Sequence, residues 1–358
     1  MKWPAHGSNP QYLFSALHIP QPNELLDLSA NINPLGPPPI LREKWGQLFE
    51  VISDYPDPKG LELKKKLAKK EQIEESQILI GNGGAELISL IGRLLAGKRV
   101  IIVQPAFSEY EEACQINNCT VEYVQLTADK WELDVHALSG KLKDADALFL
   151  CNPCNPTGVY YPKTTLIELM QQCQKNHCLS IVDEAFHDFL TEYESIVHCI
   201  NEFENLLIIR SMTKMFAIPG LRLGYLLGNE SIIEQIAAYQ PQWSMNALAL
   251  KAGEWCFESE SFVEETRALM ETERERLFAF YEENGFVVSP SRVNFYLLKD
   301  PTEEDQLPLF HFLLERGIIP RHTMNFPGLE GEWLRFAIKG PKHNEKLMEA
   351  MMDWRNQR

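Results

Sequence analysis

No apolar run in the 358 residues approaches the ~20 that a bilayer-spanning helix needs. Residues 1–12 contain no apolar core of the kind a secretion signal carries. The expected setting is the cytoplasm, with no membrane partner. Positive charge is also in short supply. Lysine and arginine number 34 against 50 acidic residues, a formal charge of −16. A polyanion is repelled by such a surface, so nucleic acid is not an expected partner. A small basic pocket in an acidic protein can still draw an anionic substrate by its local field. There is no low-complexity segment and no internal repeat. The eight cysteines show no framework spacing. Cys151 and Cys154 form a C-x-x-C, but no second Cys or His pair completes a zinc site, and no metal is expected. The flanking Asn152-Pro153 and Asn155-Pro156-Thr157-Gly158 read instead as a turn around which two small residues pack.

What is present suits one large domain and a smaller one, with 45% hydrophobic and 23% charged residues. The opening segment is rich in proline and reads as an extended arm. Residues 61–73 have the pattern of a charged amphipathic helix and 85–95 that of a buried one. Short apolar runs at 100–103, 121–126, 147–150, 179–182, 206–209 and 224–227 alternate with helical patterns. That alternation predicts an α/β fold with a mostly parallel sheet covered on both faces. Ligands bind such sheets at the carboxyl ends of the strands, where the polar motifs of this chain fall. Beyond about residue 243 the texture changes. Residues 254–284 read as one long charged helix, and 286–288, 293–298, 317–320 and 333–338 as short strands of a smaller α+β domain. The expected division is an arm at 1–40, a large domain at 41–245 and a small domain at 246–358.

Lys214 follows the apolar run at 206–209 and precedes Met215-Phe216-Ala217-Ile218-Pro219-Gly220. A lysine is usually a solvated surface residue. An amine among apolar groups loses basicity and becomes a nucleophile towards an aldehyde. Asp183 ends the run at 179–182, where an acid can ligate a metal, cap a helix, act as a base or hold a pyridinium nitrogen protonated. Asn155 stands in the turn after 147–150 and can donate to a ring oxygen or merely form the turn. Gly81-Asn82-Gly83-Gly84-Ala85-Glu86 opens a helix, whose backbone N–H groups suit a phosphate. It has neither the Lys-Ser/Thr of a P-loop nor dinucleotide-fingerprint spacing. Arg222 can pair with the same phosphate, and Phe107 can stack on a flat ring or simply fill the core.

The ordered set GNGGAE at 81–86, NPTG at 155–158, DEAF at 183–186 and SMTK-x(7)-R at 211–222 resembles the fold-type I pyridoxal-phosphate (PLP) enzymes. More narrowly, it resembles the aminotransferase class I/II group that includes the histidinol-phosphate aminotransferases. The N-terminal segments His6-Gly7-Ser8-Asn9 and Asp27-Leu28-Ser29-Ala30-Asn31-Ile32-Asn33-Pro34-Leu35-Gly36 are similar to the threonine-phosphate decarboxylases of cobalamin biosynthesis. The resemblance implies the PLP-dependent transferase fold and PLP as cofactor. It implies that Lys214 holds PLP covalently, Asp183 its pyridine nitrogen and Asn155 its O3′, with Gly84, Ala85, Ser211 and Arg222 on its phosphate. It further implies a homodimer, in which Tyr55 reaches the phosphate of the neighbouring copy. His6, Gly7, Asn31, Asn155, Arg321 and Arg335 match positions that contact a small phosphorylated amino acid. The chain departs from common patterns at three places. Phe186 stands where many aminotransferases have tyrosine, Ser8 replaces a frequent glycine, and Lys339 stands where a relative can carry arginine. An Arg-to-Lys change loses bidentate geometry.

Two activities follow from the resemblance. One is decarboxylation of L-threonine O-3-phosphate to (R)-1-amino-2-propanol O-2-phosphate. The other is transamination with 2-oxoglutarate, in the manner of the histidinol-phosphate aminotransferases. The same Lys214 and Asp183 serve both, and the orientation of the bound substrate selects between them. Retention of Lys214, Asp183 and Asn155 argues against a third reading, a non-enzymatic scaffold on this fold.

Overall fold

The computed structural model describes residues 3, 4, 6–127 and 131–357. Residues 1, 2 and 5 of the expected arm, 128–130 of the expected large domain and 358 of the expected small one lie outside them. The strands, in chain order, are β1 (Leu26–Asp27), β2 (Ile78–Gly81), β3 (Arg99–Gln104), β4 (Thr120–Gln125), β5 (Ala147–Cys151), β6 (Leu179–Asp183) and β7 (Leu206–Ser211). They continue with β8 (Gly224–Gly228), β9 (Val287–Val288), β10 (Phe295–Lys299), β11 (Ile318–Ile319), β12 (Arg321–His322) and β13 (Leu334–Ala337).

Seven strands form the main sheet in the order β2-β8-β7-β6-β5-β3-β4. The neighbours from β7 to β4 are parallel, and β8 runs antiparallel to both β2 and β7. Every residue of β5, β7 and β8 is buried, which is why these segments read as continuous apolar runs. Their side chains alternate between two apolar layers. Phe149, Ile181, Leu207 and Leu226 pack with Leu87, Ile91 and Tyr110, whereas Leu148, Val182, Ile208 and Leu227 pack on the opposite face with Leu166 and Met170. Each such side chain contributes roughly 1.5–3 kcal/mol by leaving water. The edge strand β4, with Glu122 and Tyr123, is only partly buried. Parallel strands all end on one side, so the residues that follow β5, β6 and β7 are gathered there.

A four-stranded antiparallel sheet, β12-β13-β10-β9, lies in the C-terminal third. The run expected as a strand at 317–320 contains β11, and a further strand not expected from sequence follows it at once. Ile318–Ile319 pairs in parallel with Leu26–Asp27, and after Pro320, which has no N–H to donate, Arg321–His322 pairs with β13 instead. The N-terminal segment is thereby stitched to the C-terminal part.

Two expectations need correction. The proline-rich opening is not wholly extended, because Pro10–Leu17 is a helix that buries Leu13, Phe14 and Leu17. Pro10 occupies its first turn, where a proline ring is pre-shaped for the helix and loses no hydrogen bond. The charged stretch at 254–284 is not one helix but the end of Ala247–Cys256 and the whole of Glu260–Glu283. A turn in which Glu258 and Ser259 donate to Trp255 and Cys256 separates them. Among the described residues no helix is long and apolar enough to cross a membrane.

Candidate active site

The strand ends converge on a cavity of about 380 Å³, lined on one side by residues following β5, β6 and β7 and on the other by the N-terminal segment, β12 and β13. Asp183, the last residue of β6, forms part of its floor and is buried. The Tyr110 hydroxyl donates to Asp183 Oδ2 at 2.5 Å and the Ala185 N–H to Oδ1 at 2.9 Å. Burial pushes the Asp183 carboxyl up, against the opposing pull of those two donors and of the Lys214 charge.

β7 ends at Ser211 and runs directly into the short helix Met212–Met215, which carries Lys214 into the cavity. Its amine is brought down to about 8, by burial first and then by the Arg335 and Arg222 charges, with Asp183 opposing. The desolvation expected from its apolar flanks is therefore present. At the far side of Lys214, β2 leads into the helix Gly83–Leu94. Gly83 has a φ of +78°, and a Cβ there would stand 2.9 Å from Arg222 Nη2, so this loop closes only with glycine. Gly84 faces open space. The start of this helix, the paired hydroxyls of Ser211 and Thr213 (2.9 Å) and the Arg222 guanidinium border the same end of the cavity. N–H groups, hydroxyls and a cation are the donor set a phosphate takes. Phe107 caps the helix Ser108–Ile116 and is half-buried on the cavity wall.

These residues fit the expected cofactor. A carboxylate, an amine, an aromatic wall and an anion cradle match, respectively, the ring nitrogen, aldehyde, ring face and phosphate of PLP. The open space at Gly84 leaves room for the phosphate.

The opposite wall carries the second charge set. Arg321 on β12 and Arg335 on β13 are direct register partners, so both side chains stand on one face of the small sheet, and both line the cavity. Both are buried. Arg335 Nη1 donates to Asn155 Oδ1 at 2.5 Å and Nη2 to the Ser29 carbonyl at 2.7 Å, while its buried Nε has no partner. Burial, then the Arg321 charge, draws Arg335 down to about 9; burial draws Arg321 to about 10. Arg321 Nη2 donates to Asn325 Oδ1 at 2.6 Å.

The N-terminal segment completes this wall. Asp27 Oδ1 accepts from the backbone N–H and hydroxyl of Ser29, and Ser29 Oγ accepts from the Ser8 N–H at 2.9 Å. A Cβ at Gly7 would lie 2.4 Å from the Ser29 carbonyl oxygen, so glycine is what allows the two segments to touch. Asn31 is buried with both amide atoms unpartnered. His6 Nε2 lies 2.9 Å from Glu109 Oε1 at the more exposed rim. Lys339 Nζ donates to the Ala30 carbonyl at 3.3 Å. Asn33 anchors the segment: its N–H donates to the Lys214 carbonyl, and its Nδ2 to the Met215 carbonyl and to Thr266 Oγ1, both at 2.8 Å.

Of the residues expected from sequence, Tyr55 alone is not brought to the cavity of its own chain. It is 82% exposed, its ring 4.8 Å from that of Trp243. The sequence reading missed the bond from Tyr110 to Asp183, the Ser29 link and the Glu109 partner of His6. Tyr110 follows Phe107 by three residues, one helical turn, and that spacing is the signal that could have found it. Cys151 and Cys154 are buried free thiols, pushed up by burial; Cys151 donates to the Pro153 carbonyl within the turn and Cys154 to the Pro105 carbonyl after β3.

The family model for aminotransferase class I and II matches residues 23–353. The threonine-phosphate decarboxylase of Salmonella typhimurium is 35% identical over 350 residues, covering 97% of this chain and 95% of that protein. The crystal structure of the histidinol-phosphate aminotransferase from Clostridium acetobutylicum is similar with a TM-score of 0.88 and 31% identity, covering 93% of this chain and all of that one (100%). The L-threonine-O-3-phosphate decarboxylase from Porphyromonas gingivalis is similar with a TM-score of 0.82 and 26% identity, over 91% of this chain and 98% of that one.

Proposed function

Since the chain belongs to the aminotransferase class I and II family and is a PLP-dependent enzyme, we propose that it decarboxylates L-threonine O-3-phosphate to (R)-1-amino-2-propanol O-2-phosphate, a step of cobalamin biosynthesis. The observation that carries the reading is the register pairing of Arg321 with Arg335. Like charges directly opposite across two strands repel, and both guanidinium groups are also desolvated. A small substrate with two anionic groups offsets both costs. L-threonine O-3-phosphate has a carboxylate and a phosphate on adjacent carbons. Histidinol phosphate has a phosphate and no carboxylate, so in the alternative only the co-substrate 2-oxoglutarate brings two anions to the pair. Phe186, whose ring packs on Phe295 at 4.7 Å, brings no hydroxyl to the cavity, in keeping with the decarboxylase reading.

When bound, PLP supplies an electron-withdrawing aromatic system next to the substrate's α-carbon. The residues do the rest. Asp183 holds a proton on the ring nitrogen. Lys214, with its amine near 8, is substantially neutral close to neutral pH, so it can hold the cofactor and move a proton at the α-carbon. Arg335 and Arg321 hold the two anions, and Asn31 has an unused donor and acceptor to add. By fixing the carboxylate, these side chains determine which α-carbon bond breaks. Gly7 and Ser29 close the arm against the wall and exclude water. In the same proposal residues 1–40 are this arm, 41–245 bind the cofactor and 246–358 form the small domain. The enzyme works in the cytoplasm as a homodimer, with Tyr55 serving the partner's cofactor phosphate.

The test is CO2 release from L-threonine O-3-phosphate by the holoenzyme, run beside 2-oxoglutarate-dependent consumption of histidinol phosphate. Turnover confined to the second assay sinks the decarboxylase reading. It would favour the alternative, an aminotransferase of the histidinol-phosphate type, which the 0.88 TM-score to the Clostridium enzyme supports.

A further inference from the structure

We propose that Tyr110 is a positioning residue for the cofactor, acting through Asp183: its hydroxyl donates to Oδ2 and keeps that carboxylate an ionised acceptor for the ring nitrogen. The case begins with the helix Ser108–Ile116. Phe107, at its cap, forms the cavity wall, and Tyr110, one turn on, runs beneath to the floor. The Tyr110 ring is held on both sides, stacked on Phe149 of β5 at 5.0 Å and 14° and edge-on to Phe107 at 5.9 Å. Its orientation is therefore set by packing, and its hydroxyl meets Oδ2 at 2.5 Å.

The direction of the bond follows from burial. Tyr110 is 1% exposed, and burial, reinforced by the Asp183 charge, pushes its phenol far above the ordinary range, so it keeps its proton. Asp183 Oδ1 already accepts from the Ala185 N–H. With the hydroxyl on Oδ2, each oxygen has one neutral donor and a lone pair remains for the ring nitrogen. Without that hydroxyl, burial favours a protonated Asp183, which offers no negative charge to keep the ring nitrogen protonated. The ionisable groups facing Asp183 are Tyr110 from this helix, Cys151 from the end of β5 and Lys214 after β7. Cys151 is buried with its thiol pushed well up, and Lys214 draws Asp183 down, so a donor is needed chiefly when Lys214 is neutral.

The inference rests on PLP as cofactor, and the experiment separates the two. PLP affinity of the apoprotein, the pH midpoint of the holoenzyme's visible band and the apoprotein Tm are measured for wild type, Tyr110→Phe, Asp183→Asn, the double variant and Phe149→Leu. A wild type that takes up no PLP removes the cofactor reading itself. Tyr110→Phe is expected to weaken PLP binding about tenfold or more, the scale of one hydrogen bond to a charged group. It is also expected to raise the band's midpoint by about half a pH unit or more, because a less positive ring nitrogen leaves the neighbouring protonated nitrogen more basic. In the Asp183→Asn background the same change is expected to cost less than about twofold. Phe149→Leu, which keeps the hydroxyl but loosens the stack, is expected to lower Tm and leave the midpoint in place. An unchanged or lowered midpoint in Tyr110→Phe overturns the proposal. So do equal losses in both Asp183 backgrounds, or a midpoint shift in Phe149→Leu as large as that in Tyr110→Phe.

Discussion

The two walls of the cavity are built in opposite ways. The cofactor wall comes from one sheet, with Asp183 and Ser211 ending parallel neighbours β6 and β7 and their polar atoms already paired. The substrate wall is assembled from β12, β13 and an N-terminal segment some 300 positions away, joined by Arg335 to the Ser29 carbonyl. There polar atoms are left over, both of the Asn31 amide and the Nε of Arg335. A wall with satisfied bonds holds one group in one place. A wall with spare donors and acceptors waits for a partner, since a buried polar atom without one costs about 1–3 kcal/mol. Under the proposed function, shared chemistry sits on the satisfied side and substrate choice on the unsatisfied side.

Substitutions on each wall sharpen or break this contrast. Lys214→Ala has the largest expected effect, a loss of turnover of about 10³-fold or more together with the visible cofactor band. A band that survives both this change and borohydride reduction would remove Lys214 from its role. Arg321→Ala is expected to lower kcat/KM for L-threonine O-3-phosphate by about 10²- to 10³-fold while PLP affinity changes little. Equal losses in both would erase the distinction between the walls. Next comes pH. With the Lys214 amine at about 8, its neutral fraction rises from about 1% at pH 6 to about half at pH 8. Stopped-flow capture of PLP by the apoprotein should therefore climb about 50-fold over that range and level off above about pH 9. A rate that still climbs about tenfold between pH 8 and pH 9 would mean an ordinary lysine. Asn31→Ala has the smallest expected effect, a rise of about tenfold in substrate KM with an unaltered cofactor spectrum.

The same division governs what could be read before the structure. Lys214, Asp183, Asn155 and Gly84 lie in contiguous motifs at the ends of apolar runs, and each carries a local signal of strand, turn or helix start. Arg321 and Arg335 carry none, for their meaning lies in a cross-strand register that depends on Pro320 sending the chain from one sheet to the other. Without the family resemblance they are two surface arginines. Asn33 was read only as part of a motif, because its three partners sit on the Lys214 segment and on Glu260–Glu283. The helix Pro10–Leu17 was missed because proline punctuates chains in most contexts but not in a helical first turn. The divided helix at 254–284 was missed because charge on both sides of the turn masks the break.

The sheet order also sets a timetable for synthesis. Among the described residues β2 is an edge strand whose only sheet neighbour is β8, with Gly81 opposite Gly224. The glycine loop follows β2 directly, and the Arg222 that packs on it comes just before β8. A nascent chain can therefore lay β3 to β7 side by side while β2 still has no place in the sheet. Only when β8 slides between β7 and β2 does the loop gain a frame, and pairing over so long a separation is slow. Uptake of PLP is therefore expected to follow closure of the large sheet.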